Sequence, residues 1–182
     1  MDGWFQRQPS ARKIVTITLR ESPFDPVRNS NLPEWIRFAA HLEETGYQPV
    51  IIPDTDAAFS HSFGFMGDEL GSAAAFSPAV RLAVYRRSFL NFFVPNGPYG
   101  LAVYSSGIRY VCVKMWLAGS LVSPATPEGY KGYLDPATHN AYWASWGQWH
   151  TGEMDTYDNL VTIFGKFVEE AEKHRESILQ QS

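Results

Sequence analysis

Two arginines stand where the first strand-like run of the chain ends. Arg20 directly follows the apolar run KIVTITL, and Arg28 lies in the polar loop behind it. Guanidinium groups match phosphate oxygens in pairs, so two arginines that face one crevice could clamp a pair of phosphates. The alternative is a surface ion pair with Glu21, Asp25 or Glu34, a kind of contact that is common and weak.

A turn that favours close approach of the backbone lies in the middle of the chain, in NFFVPNGPYG. Asn96 can cap the helix that follows, Gly97 lets the backbone approach a ligand, and Pro98 suits the start of that helix. We expect the free N–H groups of this helix to face an anion such as a diphosphate. An ordinary strand-to-helix turn would contain the same residue types.

Two further segments could contact the organic part of a phosphate-bearing ligand. Asp54 closes the second strand-like run, where an acidic residue can hold ribose hydroxyls, although a cap or a loop charge is the commoner explanation. In YWASWGQWH, Trp146 offers an aromatic face to a base or sugar ring, and Gln148 offers a hydrogen-bonding amide. The alternative is that this tryptophan-rich segment packs over the sheet edge or against another chain.

Other kinds of site have little support in the sequence. His61, His139 and His150 lie far apart, with no acidic or cysteine residues spaced as zinc ligands, so we predict neither a metal nor a cofactor. The strings GxSxG and GxGxxG and a Walker-type loop do not occur. The single cysteine, Cys112, lies inside an apolar run, which predicts a core side chain rather than a nucleophile.

Length and composition indicate one globular domain. Of the 182 residues, 45% are hydrophobic and 19% are charged, a balance typical of folded rather than disordered chains. A net charge of −4 argues against general nucleic-acid binding, and no apolar run is long enough for a membrane span. The N-terminus lacks an apolar signal segment and a single cysteine fits a reducing compartment, so we expect a cytoplasmic protein.

The elements that would position these residues begin in the order strand, helix, strand. Residues 13–19 and 48–53 are short apolar runs, typical of strands buried on both faces of a parallel sheet. Between them, Pro33 and Gly46 mark the start and the stop of a helix. The buried stripe of this helix is predicted to consist of Trp35, Phe38, Ala39 and Leu42.

The middle of the chain combines a featureless stretch with a clear helix start. Over residues 55–76, Gly, Ser and Ala interrupt any regular period, so we predict a loop with one short helical turn at most. Ser77 is a good N-cap and is followed by a proline at the first helical position. The helical spacing continues to Phe89 and Phe92, and residues 92–94 could form a short strand.

Toward the C-terminus we predict a short helix that ends at Gly107, a strand over residues 109–115 and a long loop over residues 118–150. The loop is rich in Pro, Gly, Ser and aromatic residues, and its length suggests a function or a partner contact. Asp155 is predicted to cap the last helix. The buried stripe of that helix is predicted to comprise Leu160, Ile163, Phe164, Phe167 and Val168.

The order of these features resembles one half of a GT-B glycosyltransferase, the Rossmann-like half that holds the nucleotide-sugar donor. The strings that carry the resemblance are ITLRES…RNSN, TGYQPVIIPD, RLAVYRRSFLNFFVPNGPYGLAVYSSGIRYV and WGQW…MDTYDNLVTIF. The resemblance implies that Arg20 and Arg28 meet the donor phosphates, that residues 96–98 form the loop beneath them, and that Asp54 lies near the nucleoside. A GT-B enzyme needs two such halves around a cleft, whereas this chain has length for one, and no catalytic base can be assigned.

We therefore predict an α/β fold: a single three-layer, Rossmann-like domain over residues 1–182, with a mainly parallel sheet and a loose arm at 1–12. The function implied by the resemblance is transfer of a sugar from a nucleotide sugar to an unknown acceptor, with a second domain or a homo-oligomer as partner. The alternative is a non-catalytic α/β module that oligomerises or binds a partner through its tryptophan-rich segment.

Overall fold

The centre of the molecule is a five-stranded sheet, seen in a computed structural model that describes residues 12–58 and 62–180. Its strands are β1 (Ile14–Thr18), β2 (Gln48–Ile52), β3 (Leu90–Phe93), β4 (Tyr110–Cys112) and β5 (Gln148–His150). Their spatial order is β2-β1-β3-β4-β5, and every neighbouring pair is parallel. The loose arm predicted for residues 1–12 lies, except for Arg12, outside the described residues.

Helices cover both faces of this sheet. They are α1 (Leu32–Glu44), α2 (Asp68–Phe76), α3 (Pro78–Arg87), α4 (Tyr99–Val103) and α5 (Tyr157–Gln180). One apolar cluster joins α1 and α5 to one face of the sheet, and a second joins α2, α3 and α4 to the other face. The predicted three-layer α/β architecture is therefore confirmed, with a sheet that is parallel throughout.

Helix α1 forms because its apolar residues recur at the helical period and fall on one face. The four predicted stripe residues are each at most 1% exposed. Phe38 packs edge-to-face against Phe92 of β3, with ring centroids 5.1 Å apart. Gly46 takes a left-handed backbone conformation with φ of 87°, which lets the chain leave the helix and enter β2.

The loop predicted for residues 55–76 is wrong over its second half, where α2 forms. Apart from Leu70, the buried side of α2 is built from the small residues Gly71, Ala74 and Ala75. Gly71 lies so close to the carbonyl oxygen of Ile51 in β2 that a Cβ atom there would overlap it. Because close packing requires small residues, the buried face lacks the large apolar stripe by which a helix is recognised in a sequence.

Helix α3 begins as predicted and ends earlier than its apolar spacing suggests. The Ser77 hydroxyl accepts a hydrogen bond from the N–H three residues further on, which confirms the predicted cap. The helix stops at Arg87, so the predicted helical run through Phe89 and Phe92 is wrong. Phe92 instead lies in β3, close to the strand predicted at 92–94, because β-strand burial on both faces also requires consecutive large apolar residues.

The elements before α5 differ from the prediction in both directions. The helix expected to end at Gly107 stops at Val103, and the strand expected over 109–115 is shorter and consists of β4 alone. Within the predicted loop 118–150, a short 3₁₀ helix forms at Pro127–Tyr130 and β5 forms at the very end. Only three residues long and mostly polar, β5 is too short to show a strand pattern.

Asp155 does not cap α5, contrary to prediction. The Thr156 hydroxyl accepts the Asn159 N–H at 3.4 Å, whereas the buried Asp155 carboxylate accepts hydrogen bonds from Asn31 N–H at 2.7 Å and Trp35 Nε1–H at 2.9 Å. An acidic residue one position before a cap resembles a cap in sequence, and only its tertiary partners distinguish the two. The predicted apolar stripe of α5 is confirmed, since all five of its residues pack in the cluster with α1.

Candidate functional site

The strand order places a crevice between the carboxyl ends of β1 and β3. In doubly wound sheets of order 2-1-3-4-5, strands are added toward one edge before this point in the sequence and toward the other edge after it. Ligands bind at this switch point, outside the carboxyl ends of the strands. A cavity of about 610 Å³ lies at this position, a size within the usual range of small-molecule sites. Its polar and glycine lining includes Arg20, Arg28, Asp54, Arg81, Asn96 and Gly97, and we call it the switch-point cavity.

Arg20 lines this cavity but uses its guanidinium mainly to hold its own loop. It donates hydrogen bonds to the carbonyl oxygens of Phe24 and Asp25 and to the side-chain oxygen of Asn29. Burial, followed by the like charge of Arg28, lowers the pKa of Arg20. The residue is 6% exposed. Arg20 therefore supplies positive charge to the cavity and shapes the loop that carries Arg28.

Arg28 lies across the mouth of the crevice from the turn after β3. Its Nη2 donates to the carbonyl oxygen of Pro95 at 2.7 Å. Its Nε is buried without a hydrogen-bond partner among the described residues and lies 3.9 Å from the Asp25 carboxylate. The ion pair with Asp25, which the sequence left as an alternative, thus exists in loose form.

Arg81, in α3, is a cavity residue that sequence reasoning missed. Its Nε and Nη2 donate to the carbonyl oxygens of Ala74 and Ala75 at the end of α2, at 2.8 and 3.0 Å, and it is 8% exposed. In the sequence nothing distinguishes it from Arg86 or Arg87, which are exposed on the same helix. Only the packing of α2 against α3 turns this side chain toward the cavity.

Asp54 lines the cavity next to β2 and is occupied by backbone hydrogen bonds. One carboxylate oxygen accepts the Thr55 N–H at 2.8 Å and the other accepts the Glu21 N–H at 3.1 Å. The first of these bonds caps the 3₁₀ turn Thr55–Ala57, which is the alternative that the sequence suggested. The predicted contact with a nucleoside stays a prediction.

The turn at residues 96–98 reaches the cavity, yet the expectation of free helix N–H groups is wrong. The N–H of Tyr99 donates to Asn96 Oδ1 at 2.9 Å, and that of Gly100 donates to the Gly97 carbonyl oxygen at 3.0 Å. Pro98 has no N–H to offer. Because α4 is only five residues long, its first amides are used within the turn, and positive charge in the cavity comes from the arginines.

Trp146 and Gln148 lie apart from these residues. They precede and begin β5, so the parallel sheet places them at the edge opposite the carboxyl ends of β1 and β3. Trp146 stacks on His174 of α5 with ring centroids 4.1 Å apart, and Gln148 Nε2 donates to the carbonyl oxygens of Ser105 and Ile108. The tryptophan-rich segment thus packs at the sheet edge, while the proposed contact with a partner stays a prediction.

A buried ion pair holds the loop between β1 and α1 against the carboxyl edge of the sheet. Lys114, directly after β4, lies 3.1 Å from the Asp155 carboxylate, and both residues are at most 3% exposed. Lys114 Nζ also donates to the Asn29 carbonyl oxygen at 2.6 Å, and Asp155 accepts the Asn31 N–H. Since Asn29 follows Arg28, the pair fixes where that arginine lies.

A second cavity, of about 370 Å³, adjoins the first on the β4 side. Arg28, Asn96 and Gly97 line both cavities. Its other walls include Tyr99, Tyr104, Tyr130 and Tyr133, and we call it the tyrosine cavity.

Behind the tyrosine cavity lies a hydrogen-bonded cluster of aromatic side chains. The Tyr133 and Tyr99 hydroxyls are 2.7 Å apart, and the Tyr99 hydroxyl also bonds to Nε2 of the buried His150. Tyr110 reaches the same ring nitrogen at 3.3 Å. Burial lowers the pKa of His150 to about 4 and raises that of Tyr133 to about 12. All of these groups are therefore neutral at pH 7, and no sequence spacing revealed the cluster.

Metal and thiol chemistry find little support within residues 12–58 and 62–180. No group of three or more His, Cys, Asp or Glu side chains there is arranged to hold a metal ion, and His61 lies outside these ranges. Cys112 is fully buried in β4, as predicted, and burial raises the pKa of its thiol. None of the described helices combines the length and the apolar content that crossing a bilayer requires.

Comparison of the chain with protein-family models, with curated proteins and with solved structures gave no match. The resemblance to a GT-B half therefore remains a hypothesis carried by the strings quoted above.

Proposed function

We propose that the chain binds the diphosphate of a nucleotide sugar in the switch-point cavity and serves as the donor-binding part of a glycosyltransferase. The observation that supports this most is the charge of the cavity lining. Three arginines and one aspartate line it, in a chain whose net charge is −4. Guanidinium groups gathered in one crevice attract phosphate through their positive charge, which they keep even where some of their N–H donors are already hydrogen-bonded.

The arrangement of the charges favours a bound anion. Arg20 and Arg28 lie close enough for the charge of one to lower the pKa of the other, a repulsion that an anion between them would relieve. Asp54, the carboxylate in the lining, is already engaged by two backbone N–H groups. A diphosphate would therefore meet cations whose positions are set before it binds.

Another basic cavity, of about 660 Å³, lies at the opposite edge of the sheet beside Trp146. Most of its cations are exposed side chains, among them Arg12, Lys13 and Arg175, whereas Arg109 in the same lining is partly buried. In the switch-point cavity, by contrast, Arg20 and Arg81 are at most 8% exposed and hydrogen-bonded in place. We favour the switch-point cavity because fixed, partly dehydrated charges bind anions better than mobile, solvated ones.

The same arginines would assist sugar transfer. When the bond between the sugar and the terminal phosphate breaks, negative charge grows on the departing diphosphate. Guanidinium groups fixed at that position stabilise the charge as it develops, which lowers the activation barrier. The base and the acceptor site would have to come from elsewhere, such as a second domain or chain.

A thermal-shift titration with UDP, GDP, ADP and their glucose or mannose conjugates tests the proposal. A ligand at one hundred times its Kd stabilises a protein by about 2.7 kcal/mol, which raises the Tm of a chain of this size by about 5 to 10 °C. We expect such a rise with at least one nucleotide and its loss in Arg28→Ala. That variant leaves the hydrogen bonds of Arg20 in place.

The control variant is Arg175→Ala, which removes the same charge from the other basic cavity. It should bind nucleotide as the wild type does. No rise with any nucleotide at millimolar concentration would refute the proposal. Loss of binding in Arg175→Ala but not in Arg28→Ala would move the site to the opposite edge of the sheet.

A further inference from the structure

The tyrosine cavity continues directly from the place where a diphosphate would lie. The two cavities share Arg28, Asn96 and Gly97, so they meet at the turn after β3. A Cβ atom at Gly97 would have no atom of the described residues within 4 Å apart from its own chain neighbours, so the space beside this shared turn is open there. A ligand larger than a diphosphate could extend through this junction.

The walls of the tyrosine cavity suit a ring that carries hydroxyl groups. Four tyrosines line it, and tyrosine rings pack against the C–H faces of sugars while a tyrosine hydroxyl exchanges hydrogen bonds with sugar hydroxyls. Tyr133 is half-buried at the wall, and its hydroxyl is the outermost of the chain that leads through Tyr99 to His150. That chain fixes the position of the Tyr133 hydroxyl before a ligand arrives.

The imidazole at the inner end of this chain acts as a hydrogen-bonding partner rather than as a base. Because burial keeps His150 neutral at pH 7 and lowers its affinity for a proton, it is poorly suited to accept one from an acceptor hydroxyl.

We propose that the tyrosine cavity binds the sugar ring of the nucleotide sugar, with Tyr133 as the hydrogen-bonding residue that distinguishes it from the nucleoside diphosphate alone. The inference rests on the proposed function. In a nucleotide sugar the ring is joined through one oxygen to the terminal phosphate, so it must lie next to the diphosphate. The tyrosine cavity adjoins Arg28 on the β4 side, which leaves the β2 side, near Asp54, for the nucleoside.

Calorimetric titrations with matched pairs test this: UDP against UDP-glucose, GDP against GDP-mannose, and ADP against ADP-glucose. We expect Tyr133→Phe to weaken binding of the preferred nucleotide sugar about three- to tenfold, the usual effect of losing one hydrogen bond. Binding of the corresponding nucleoside diphosphate should be unchanged. Tyr142→Phe is the control, because Tyr142 is 59% exposed and lies outside the tyrosine cavity.

A second variant adds a methyl group to the wall of the cavity without removing a hydroxyl. Gly100 lines the tyrosine cavity but not the switch-point cavity, and a Cβ there meets no atom within 4 Å. Gly100→Ala should fold normally and weaken binding of the nucleotide sugar more than binding of its nucleoside diphosphate. If the wild type binds the nucleoside diphosphates but neither variant changes the relative affinity for their sugars, the sugar site is wrong and the phosphate site stands. If no nucleotide binds, both proposals fail.

Discussion

Acid should destabilise this protein specifically through His150. Burial lowers the pKa of its imidazole from 6.5 to about 4, so the unfolded chain binds the proton more readily than the folded one. The stabilisation from keeping this ring neutral is fully present above pH 6.5 and is lost as the pH falls toward 4. One pH unit corresponds to about 1.4 kcal/mol. At pH 5, about 1.5 pH units below the pKa of an unfolded histidine, the free energy of unfolding is therefore lower by about 2 kcal/mol.

The measurement is urea unfolding at pH 7 and pH 5, followed by tryptophan fluorescence, for the wild type and for His150→Gln. Glutamine keeps a hydrogen-bonding group near the Tyr99 hydroxyl but does not titrate. Every other ionisable group is present in both proteins, so its effect cancels when the pH-dependent losses of stability of the two proteins are compared. We expect the wild type to lose about 2 kcal/mol more than the variant between these pH values. Equal losses would refute the argument, because they would mean that the folded chain protonates this ring as easily as the unfolded chain does.

Two further predictions concern stability and are measured by the same unfolding experiment. Lys114→Met should lower the free energy of unfolding by about 3 to 5 kcal/mol, because it leaves the Asp155 carboxylate buried without its cation. A loss below about 1 kcal/mol would contradict this account of a buried, paired carboxylate. Gly71→Ala should destabilise by about 1 to 3 kcal/mol because its methyl group overlaps the Ile51 carbonyl oxygen. Its matched control, Gly165→Ala on the exposed side of α5, meets no atom and should stabilise by about 0.5 to 1 kcal/mol, so effects of the same sign would contradict the packing argument.

Much of the switch-point cavity followed from sequence because parallel strands end at one edge of a sheet. Arg20, Asp54 and Asn96 each follow an apolar run closely, so predicting the runs as parallel strands also predicted that these residues lie near one another. The hydrogen bonds that they make there could not be predicted from the sequence. Arg20 and Asp54 are largely engaged by loop and backbone groups, and the N–H groups of α4 are used inside the turn.

The residues that sequence reasoning missed share one property: their roles depend on packing between elements rather than on the pattern within one segment. Arg81 reaches the cavity only because α2 packs against α3, and α2 itself escaped prediction because its buried face, apart from Leu70, consists of small residues. Tyr133 and His150 meet Tyr99 across loops that show no periodicity. Asp155 has the right residue type for a cap, and only the positions of Lys114 and α1 show its actual role.

The sequence by itself determined the fold class, since runs buried on both faces and the stripes of α1 and α5 follow from the chemistry of short segments. Local periodicity reports which face of an element is apolar, and that information lies within about ten residues. Only the tertiary structure decided which arginines share a cavity, which carboxylate is paired and which tyrosines form a wall. Those outcomes depend on the strand order and on packing between elements, which no single segment encodes.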